Sequence, residues 1–310
     1  MKLIYHASAG PGLATRLHGL PGLDIDICAE EDTAQLASLL PACEGLWHVL
    51  IRCVIEMIAA APKLRLIQKI GVGVNTIDLE AAKRRGIAAC NLPGTNSRAV
   101  AEMTLALMLA VIRRVPAFDR SLRSGIWTDL TLLDGLGELG GRVAGLVGYG
   151  AVPRILAPIL AAMGCDVLYT ARNEVSDAVA RYVPLDALLS RADVVSLHVP
   201  LTPQTEHMID AKALRSMKQG AILINTARGG LVDPVALTSS LRDGHLAAAG
   251  LDVFETEPVA PDEPLLTLPN VVATPHVAWI TTGTFERSFH LAAENCRRLT
   301  AGEPLLFRVV

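Results

Sequence analysis

The sequence has few aromatic residues, 4% of 310, and no C-x-x-C pair among its six cysteines. Cys28, Cys43, Cys53, Cys90, Cys165 and Cys296 lie far apart. Neither a zinc site nor a disulfide framework follows from that spacing, and reduced thiols in a cytoplasm are the simplest reading. There is no block of like charge: the net charge is -3 with Lys and Arg scattered, which excludes the basic stripe of a nucleic-acid-binding surface. Long apolar runs are absent too. The longest, Met103 to Ile112, is about half of the roughly 20 residues that span a bilayer. The opening "MKLIYHASAG" is too weakly apolar for a secretory segment and reads as a first strand, so a soluble cytoplasmic protein is expected. No repeats or low-complexity tracts occur. What is present is a globular composition, 51% hydrophobic and 19% charged, on a chain long enough for two domains.

Apolar strand-like runs alternate with helical patterns. "KLIYHA", "DIDIC", "LWHVLI" and "LRLIQKI" read as strands, with helices over "EDTAQLASLLPA" and "VIEMIAAAP". A second series, "VAGLVGYG", "DVLYTA", "DVVSLHV", "AILINTA", "AAGLDVF" and "VVATPHV", gives six strands, enough for a complete dinucleotide-binding sheet. Between the series, residues 97–114 are apolar nearly all round, which places a helix at a domain junction or subunit interface. Phe118 to Gly141 follows as a candidate arm around a partner. The last helix, roughly Thr284 to Thr300, has no strand of its own series after it and is expected to return to the first domain.

The stretch "LVGYGAVPRIL" has strand, glycine turn and helix in the order that a pyrophosphate site requires. Gly148 permits the tight turn, and Gly150 lets the N–H groups of Ala151 and Val152 approach an anion at a helix N-terminus. Without a ligand the same residues would be a glycine-rich turn. Pro153 stands where the pattern has its third glycine, and Pro158 falls inside the same helix. The expectation is a helix that stands slightly off its strands or bends near Arg154. The next strand ends "LYTARN" with no acid to accept the adenine ribose hydroxyls, while Arg172 and Asn173 follow it. A guanidinium suits a ribose 2′-phosphate, so NADP is favoured over NAD, although a solvated arginine would look the same.

Polar residues recur at strand ends: Arg228 in "INTARGGLVD", Asp252 and Glu257 in "LDVFETEP", and His276 in "VATPHVAW". Together they can run carbonyl chemistry. An arginine binds a carboxylate through two hydrogen bonds, and a histidine held by a carboxylate donates a proton to a keto oxygen.

In order, "GVGVNTIDLEAAKRRGI", "NLPGTNSRAVAEMTLALML", "GYGAVP", "SLHVPLTPQTEHMI", "INTARGGLVD", "AAGLDVFETEP" and "TPHVAW" closely resemble the D-isomer-specific 2-hydroxyacid dehydrogenase family. The resemblance implies an α/β fold of two doubly wound parallel-sheet domains, a Rossmann-type cofactor domain inserted into a flavodoxin-like substrate domain. The boundaries expected are 1–96 with 284–310 for the substrate domain and 97–283 for the cofactor domain. It implies Arg228, Glu257 and His276 as the catalytic set, with Asp252 meeting the nicotinamide carboxamide. Thr104, Pro200, Thr226 and Ala227 would line the cofactor cleft, and the backbone of Val72, Gly73 and Val74 would hold a substrate carboxylate. Trp279 resembles the glyoxylate and hydroxypyruvate reductase side of the family but could equally be core packing. Arg52 is either a second cation for substrate or a surface arginine. The activity implied is NAD(P)H-dependent reduction of a 2-keto acid to a D-2-hydroxy acid by a homodimer. A dinucleotide-sensing regulator of the same fold would keep the same Arg, Glu and His.

Overall fold

The computed structural model describes residues 1–310. Two compact units are present, one formed by residues 1–96 with 281–310 and the other by residues 97–280. No helix is long and apolar enough to cross a membrane.

The first unit contains β1 (Lys2–His6), α1 (Pro11–His18), β2 (Asp24–Cys28), α2 (Thr33–Leu39), β3 (Gly45–His48), α3 (Ile55–Ala59), β4 (Leu66–Lys69), α4 (Leu79–Arg84) and β5 (Ala88–Cys90). Its strands pair in parallel in the order β2-β1-β3-β4-β5, a flavodoxin-like arrangement. Aspartates start α2 and α4. Asp32 accepts from Gln35 N–H at 2.8 Å and Asp78 from Ala81 N–H at 2.8 Å, each satisfying one donor that the helix itself cannot. Helix α1 and the three-residue β5 carry little periodicity and escape a reading of the sequence.

The chain's last helix, Thr282–Ala301, belongs to this unit for a physical reason. Phe289 stacks on Trp47 with centroids 5.6 Å apart and meets Tyr5 edge-on at 6.0 Å. Asn295 is fully buried, gives its amide N–H to Gln68 Oε1 at 2.7 Å, and accepts from Leu306 N–H at 2.8 Å. Two buried amides that satisfy each other fix the helix in one register, because either one alone would be a buried polar group without a partner.

The second unit begins with α5 (Ser97–Ile112) and α6 (Val115–Arg123). It continues through β6 (Val143–Val147), α7 (Ala151–Ala162), β7 (Asp166–Thr170), β8 (Arg181–Tyr182), α8 (Leu185–Arg191), β9 (Val194–Leu197), α9 (Ala211–Ser216), β10 (Ala221–Asn225), α10 (Pro234–Arg242), β11 (Leu246–Leu251) and β12 (Val271–Ala273). The sheet order is β12-β11-β10-β9-β6-β7-β8, all parallel. It has seven strands rather than the six expected. The extra one is the two-residue edge pair Arg181–Tyr182, too short and too polar to read as a strand. Leu146 and Val147, Tyr169 and Leu168, and Ile224 and Leu223 feed alternate cores on the two sheet faces, which is why these strands are apolar throughout.

Helix α5 buries Ala101, Thr104, Leu107, Met108 and Val111 within this unit and leaves Glu102 and Ala106 exposed. Helix α7 runs unbroken across Pro158, and Pro153 is buried on its inner face with Leu156, Ala157 and Leu160. Of the expected stand-off or bend near Arg154, the inward-facing Pro153 gives no sign of a stand-off. Pro153 lies in the first turn, where its missing donor costs nothing, and its ring packs as a compact apolar residue. Pro158 and Arg154 both face solvent, so the carbonyl that Pro158 leaves unbonded can be met by water.

Two buried histidines make the first unit sensitive to pH. His6 and His48 end the adjacent strands β1 and β3, in register, and both are almost fully buried. Neither ring nitrogen of His6 has a hydrogen-bond partner, while His48 Nε2 meets Thr76 Oγ1 at 2.8 Å. Burial pushes the His6 imidazole below its ordinary range against the pull of Glu30, and burial with the charge of Lys69 pushes His48 well below it. Above about pH 6.5 both histidines are neutral folded or unfolded, and the shifts cost nothing. Below it the unfolded chain binds more protons, so stability falls by at most about 1.4 kcal/mol per pH unit for each histidine. Amide exchange in β1 and β3, compared at pH 7.5 and 5.5 after correction for intrinsic rates, should show this loss, and His6→Leu should reduce it. Equal protection at both pH values would contradict the account.

Candidate active site

Every strand of the second sheet runs the same way, so the loops after β6, β9, β10, β11 and β12 gather at one edge. The chain order reverses between β6 and β9, the crevice where open α/β sheets bind ligands. Gly148, directly after β6, has φ 101°, and a Cβ there would stand 2.8 Å from the His198 carbonyl oxygen after β9. Only glycine fits. Gly150 begins α7 without any side-chain cap, and nothing lies within 4 Å of where its Cβ would be. The first amides of α7, at Ala151 and Val152, are thus uncapped beneath open space, and they lie at the positive end of the helix dipole. Those residues fit a dinucleotide pyrophosphate. Arg172 and Asn173, on the loop after β7, are exposed.

Two threonines lie deeper. Thr104 of α5 is fully buried, and its Oγ1 is 2.8 Å from Thr226 Oγ1, itself 8% exposed. Pro200 is exposed in the loop after β9, where its carbonyl accepts from Thr205 Oγ1 at 2.7 Å.

After β10 the buried Asn225 bends the chain into the turn that carries Arg228. Its amide donates to the Arg228 carbonyl at 2.9 Å and accepts from Ala227 N–H at 3.0 Å. The guanidinium of Arg228 is half-buried; burial lowers its pKa and the charge of Glu257 acts the other way. Glu257, in the loop after β11, accepts from Phe254 N–H at 2.9 Å through one oxygen and pairs with His276 Nδ1 at 2.6 Å through the other. Burial alone would raise this carboxyl, but the hydrogen bond and charge of His276, aided by Phe254 N–H and Arg228, hold it below its ordinary value. With Nδ1 engaged, Nε2 of His276 is the nitrogen left to meet a substrate.

His276 has φ 55°, a left-handed conformation uncommon outside glycine. Asp252 imposes it. Its carbonyl accepts from His276 N–H at 2.7 Å, and its carboxylate accepts from Thr274 Oγ1 at 2.5 Å, Val277 N–H at 2.9 Å and Ala278 N–H at 2.9 Å. Asp252 is 0% exposed. Its carboxylate is held inside the turn by these three donors. Trp279 is likewise buried, at 8% exposure. In the first unit Arg52 and Val72 are exposed and Gly73 and Val74 half-buried, with the Val72 carbonyl accepting from Asn91 Nδ2 at 2.8 Å.

Asn225 and the pair His207–Glu255 escape sequence reasoning. His207 Nε2 is 2.6 Å from Glu255 Oε1, and its N–H reaches the Gly230 carbonyl at 2.8 Å, joining the loop after β9 to those after β10 and β11. Both lie inside motifs whose other residues draw the eye.

A Rossmann-type sheet with an uncapped helix at its switch point, and a Glu–His pair beside an arginine at the same edge, places the second unit among dinucleotide-binding α/β domains. Residues 105–278 match the family described as D-isomer specific 2-hydroxyacid dehydrogenase, NAD binding domain. The chain belongs to that family. It is 42% identical to D-3-phosphoglycerate dehydrogenase of Mycobacterium leprae over 80% of this chain and 47% of that one. It is also 42% identical to glyoxylate reductase of Korarchaeum cryptofilum over 80% of this chain and 76% of the relative. The chain therefore spans about half the length of the phosphoglycerate dehydrogenases that it matches. The crystal structure of the TT0316 protein from Thermus thermophilus is similar along the full length of both chains, with a TM-score of 0.90 and 39% identity.

Gly229 gives a sharp test of the loop arrangement. A Cβ on it would fall 1.9 Å from the Phe254 carbonyl carbon, against backbone that cannot rotate away, whereas one on Gly230 would meet only the Leu201 side chain at 3.1 Å. Gly229→Ala should destabilise the second unit by about 3 kcal/mol or more and Gly230→Ala by about 1 kcal/mol or less. Thermal unfolding of the two variants side by side measures the difference, and similar midpoints would mean that the loops do not touch as described.

Proposed function

We propose that the protein reduces a small 2-keto acid to a D-2-hydroxy acid, with glyoxylate or hydroxypyruvate as the favoured type of substrate and NADPH favoured over NADH. The observation that carries the reading is the 2.6 Å Glu257–His276 pair at the sheet edge that also holds Arg228 and the uncapped start of α7. The planar guanidinium of Arg228 holds the substrate carboxylate through two parallel hydrogen bonds. His276 Nε2 donates its proton to the keto oxygen, while Glu257 fixes the ring through Nδ1 and stabilises the charged imidazole. Ala151, Val152, Thr104, Thr226 and Ala227 hold the dinucleotide, whose nicotinamide supplies the hydride when bound. Arg172 supports the choice of NADP: the loop after β7 offers a cation, and no acid ends that strand.

His276→Ala should lower kcat by roughly two to four powers of ten, and Arg228→Lys should fail because an ammonium cannot reproduce the bidentate contact. Initial rates with glyoxylate, hydroxypyruvate, pyruvate and an aryl pyruvate, each with NADH and NADPH, test both variants and the cofactor choice. Full activity of His276→Ala on every accepted keto acid would sink the assignment. A clear preference for NADH would remove NADP from it. Cofactor binding without any turnover would favour the sensor instead.

A homodimer belongs to the same proposal. Trp127 is 87% and Leu130 70% exposed on the segment after α6, beside a groove of about 590 Å³ lined partly by Val111, Ile112, Val271 and Val272. Apolar exposure on that scale, with its apolar counterpart on the same chain, suits a twofold contact with a second copy. Sedimentation should show a dimer that Trp127→Asp converts towards monomer. A monomeric wild type would end this part of the reading.

A further inference from the structure

The ten residues Ala171 to Ala180, between β7 and β8, form no helix or strand, yet they are tied down from three directions. Tyr149, the residue between the two glycines of the turn after β6, accepts from Val179 N–H at 3.1 Å through its hydroxyl. Tyr169 of β7 accepts from Val175 N–H at 2.7 Å and gives its own hydroxyl proton to the Val175 carbonyl at 3.3 Å. Arg154 of α7 pairs bidentately with Asp177 at 2.8 and 3.1 Å. The anchors also brace one another. The rings of Tyr149 and Tyr169 lie 4.3 Å apart, Tyr182 of β8 meets Tyr169 at 5.6 Å, and the Arg154 guanidinium sits 5.8 Å from the Tyr149 ring centre. Two of the second unit's three tyrosines therefore hold this loop directly, and the third packs against one of them. Arg154 is committed to Asp177, which leaves Arg172 as the exposed cation that the loop presents.

We propose that Tyr149 is a positioning residue for the adenosine end of the dinucleotide: with Tyr169 and the Arg154–Asp177 pair it orders the loop in advance and sets where Arg172 and Asn173 stand. The inference rests on the dinucleotide reading above. Ordering a loop costs conformational entropy, and a loop already ordered spares the ligand that cost. Tyr149 couples the two ends of the site, since its backbone belongs to the turn below the pyrophosphate and its hydroxyl holds the loop beyond the ribose.

Tyr149→Phe keeps the ring in its stack and removes only the acceptor for Val179. Binding of NADPH, titrated by calorimetry without substrate, should weaken about fivefold, the equivalent of one net hydrogen bond. Amide exchange at Val175 to Ala180 should accelerate in the unliganded variant, and KM for NADPH should rise several-fold while kcat moves less than twofold. Asp177→Asn, which loosens a different anchor, should act in the same direction. Arg172→Ala should weaken NADPH binding without changing loop exchange. Unchanged NADPH affinity in Tyr149→Phe despite faster exchange would overturn the inference, and so would unchanged exchange. Failure of the wild type to bind either dinucleotide would overturn the functional reading itself, and is seen before any variant is made.

Discussion

The turn that carries His276 depends on a carboxylate that no solvent reaches. Asp252 follows β11 with 0% exposure, and burial raises its pKa against the pull of its three donors. A buried carboxylate is tolerable only when its lone pairs are met, and here the donors come from the segment Thr274 to Ala278. That segment must wrap around the carboxylate, and the wrapping forces His276 into its left-handed conformation. The strain of one histidine backbone is offset by charge-assisted hydrogen bonds, each worth about 1.5–3 kcal/mol. Glu257 then has a ring already placed and needs only to select its tautomer. The arrangement is hierarchical: Asp252 builds the turn, the turn aims the ring, and Glu257 tunes it.

The neighbouring loops obey a second constraint, close approach of backbone to backbone. Gly148 touches the His198 carbonyl and Gly229 touches the peptide after Phe254, at separations no side chain allows. These contacts tie the loop after β6 to that after β9, and the loop after β10 to that after β11. Asn225 and the His207–Glu255 pair add polar fastenings to the same set. Loops at a sheet edge are ordinarily the mobile part of an α/β fold. Here their positions are over-determined, which holds Arg228 and His276 in fixed relation.

Much of this was legible in the sequence, for an identifiable reason. Strands buried on both faces are written as continuous apolar runs, and the residues that end them are visible because polarity changes abruptly there. Arg228, Glu257 and His276 stand out in that way. Side-chain direction is written far less clearly. Asp252 and Trp279 both follow strands as their neighbours do, yet both are buried, because the turn between Pro275 and Trp279 closes inward over Asp252. Burial of the pair Asn295–Gln68 depends on segments 227 residues apart in sequence, which no local pattern encodes. The strand Arg181–Tyr182 is two residues long, and nothing of that length carries a period.

Pro153 shows what the glycine pattern actually demands. The pattern's third glycine serves close packing of helix on strand, and a residue can meet that need by being compact and apolar on its inner side. Pro153 does so from the first turn, where its absent N–H was never to be bonded, and it is buried with Leu156 and Leu160. The residues that cannot be exchanged are those whose space is filled by something else. Gly148 faces a carbonyl and has no alternative, whereas Gly150 faces open space that only an approaching ligand would fill. The two retained glycines thus answer two different constraints, one internal to the fold and one belonging to whatever the helix N-terminus binds. The third position answered only to packing, and packing accepts more than one solution.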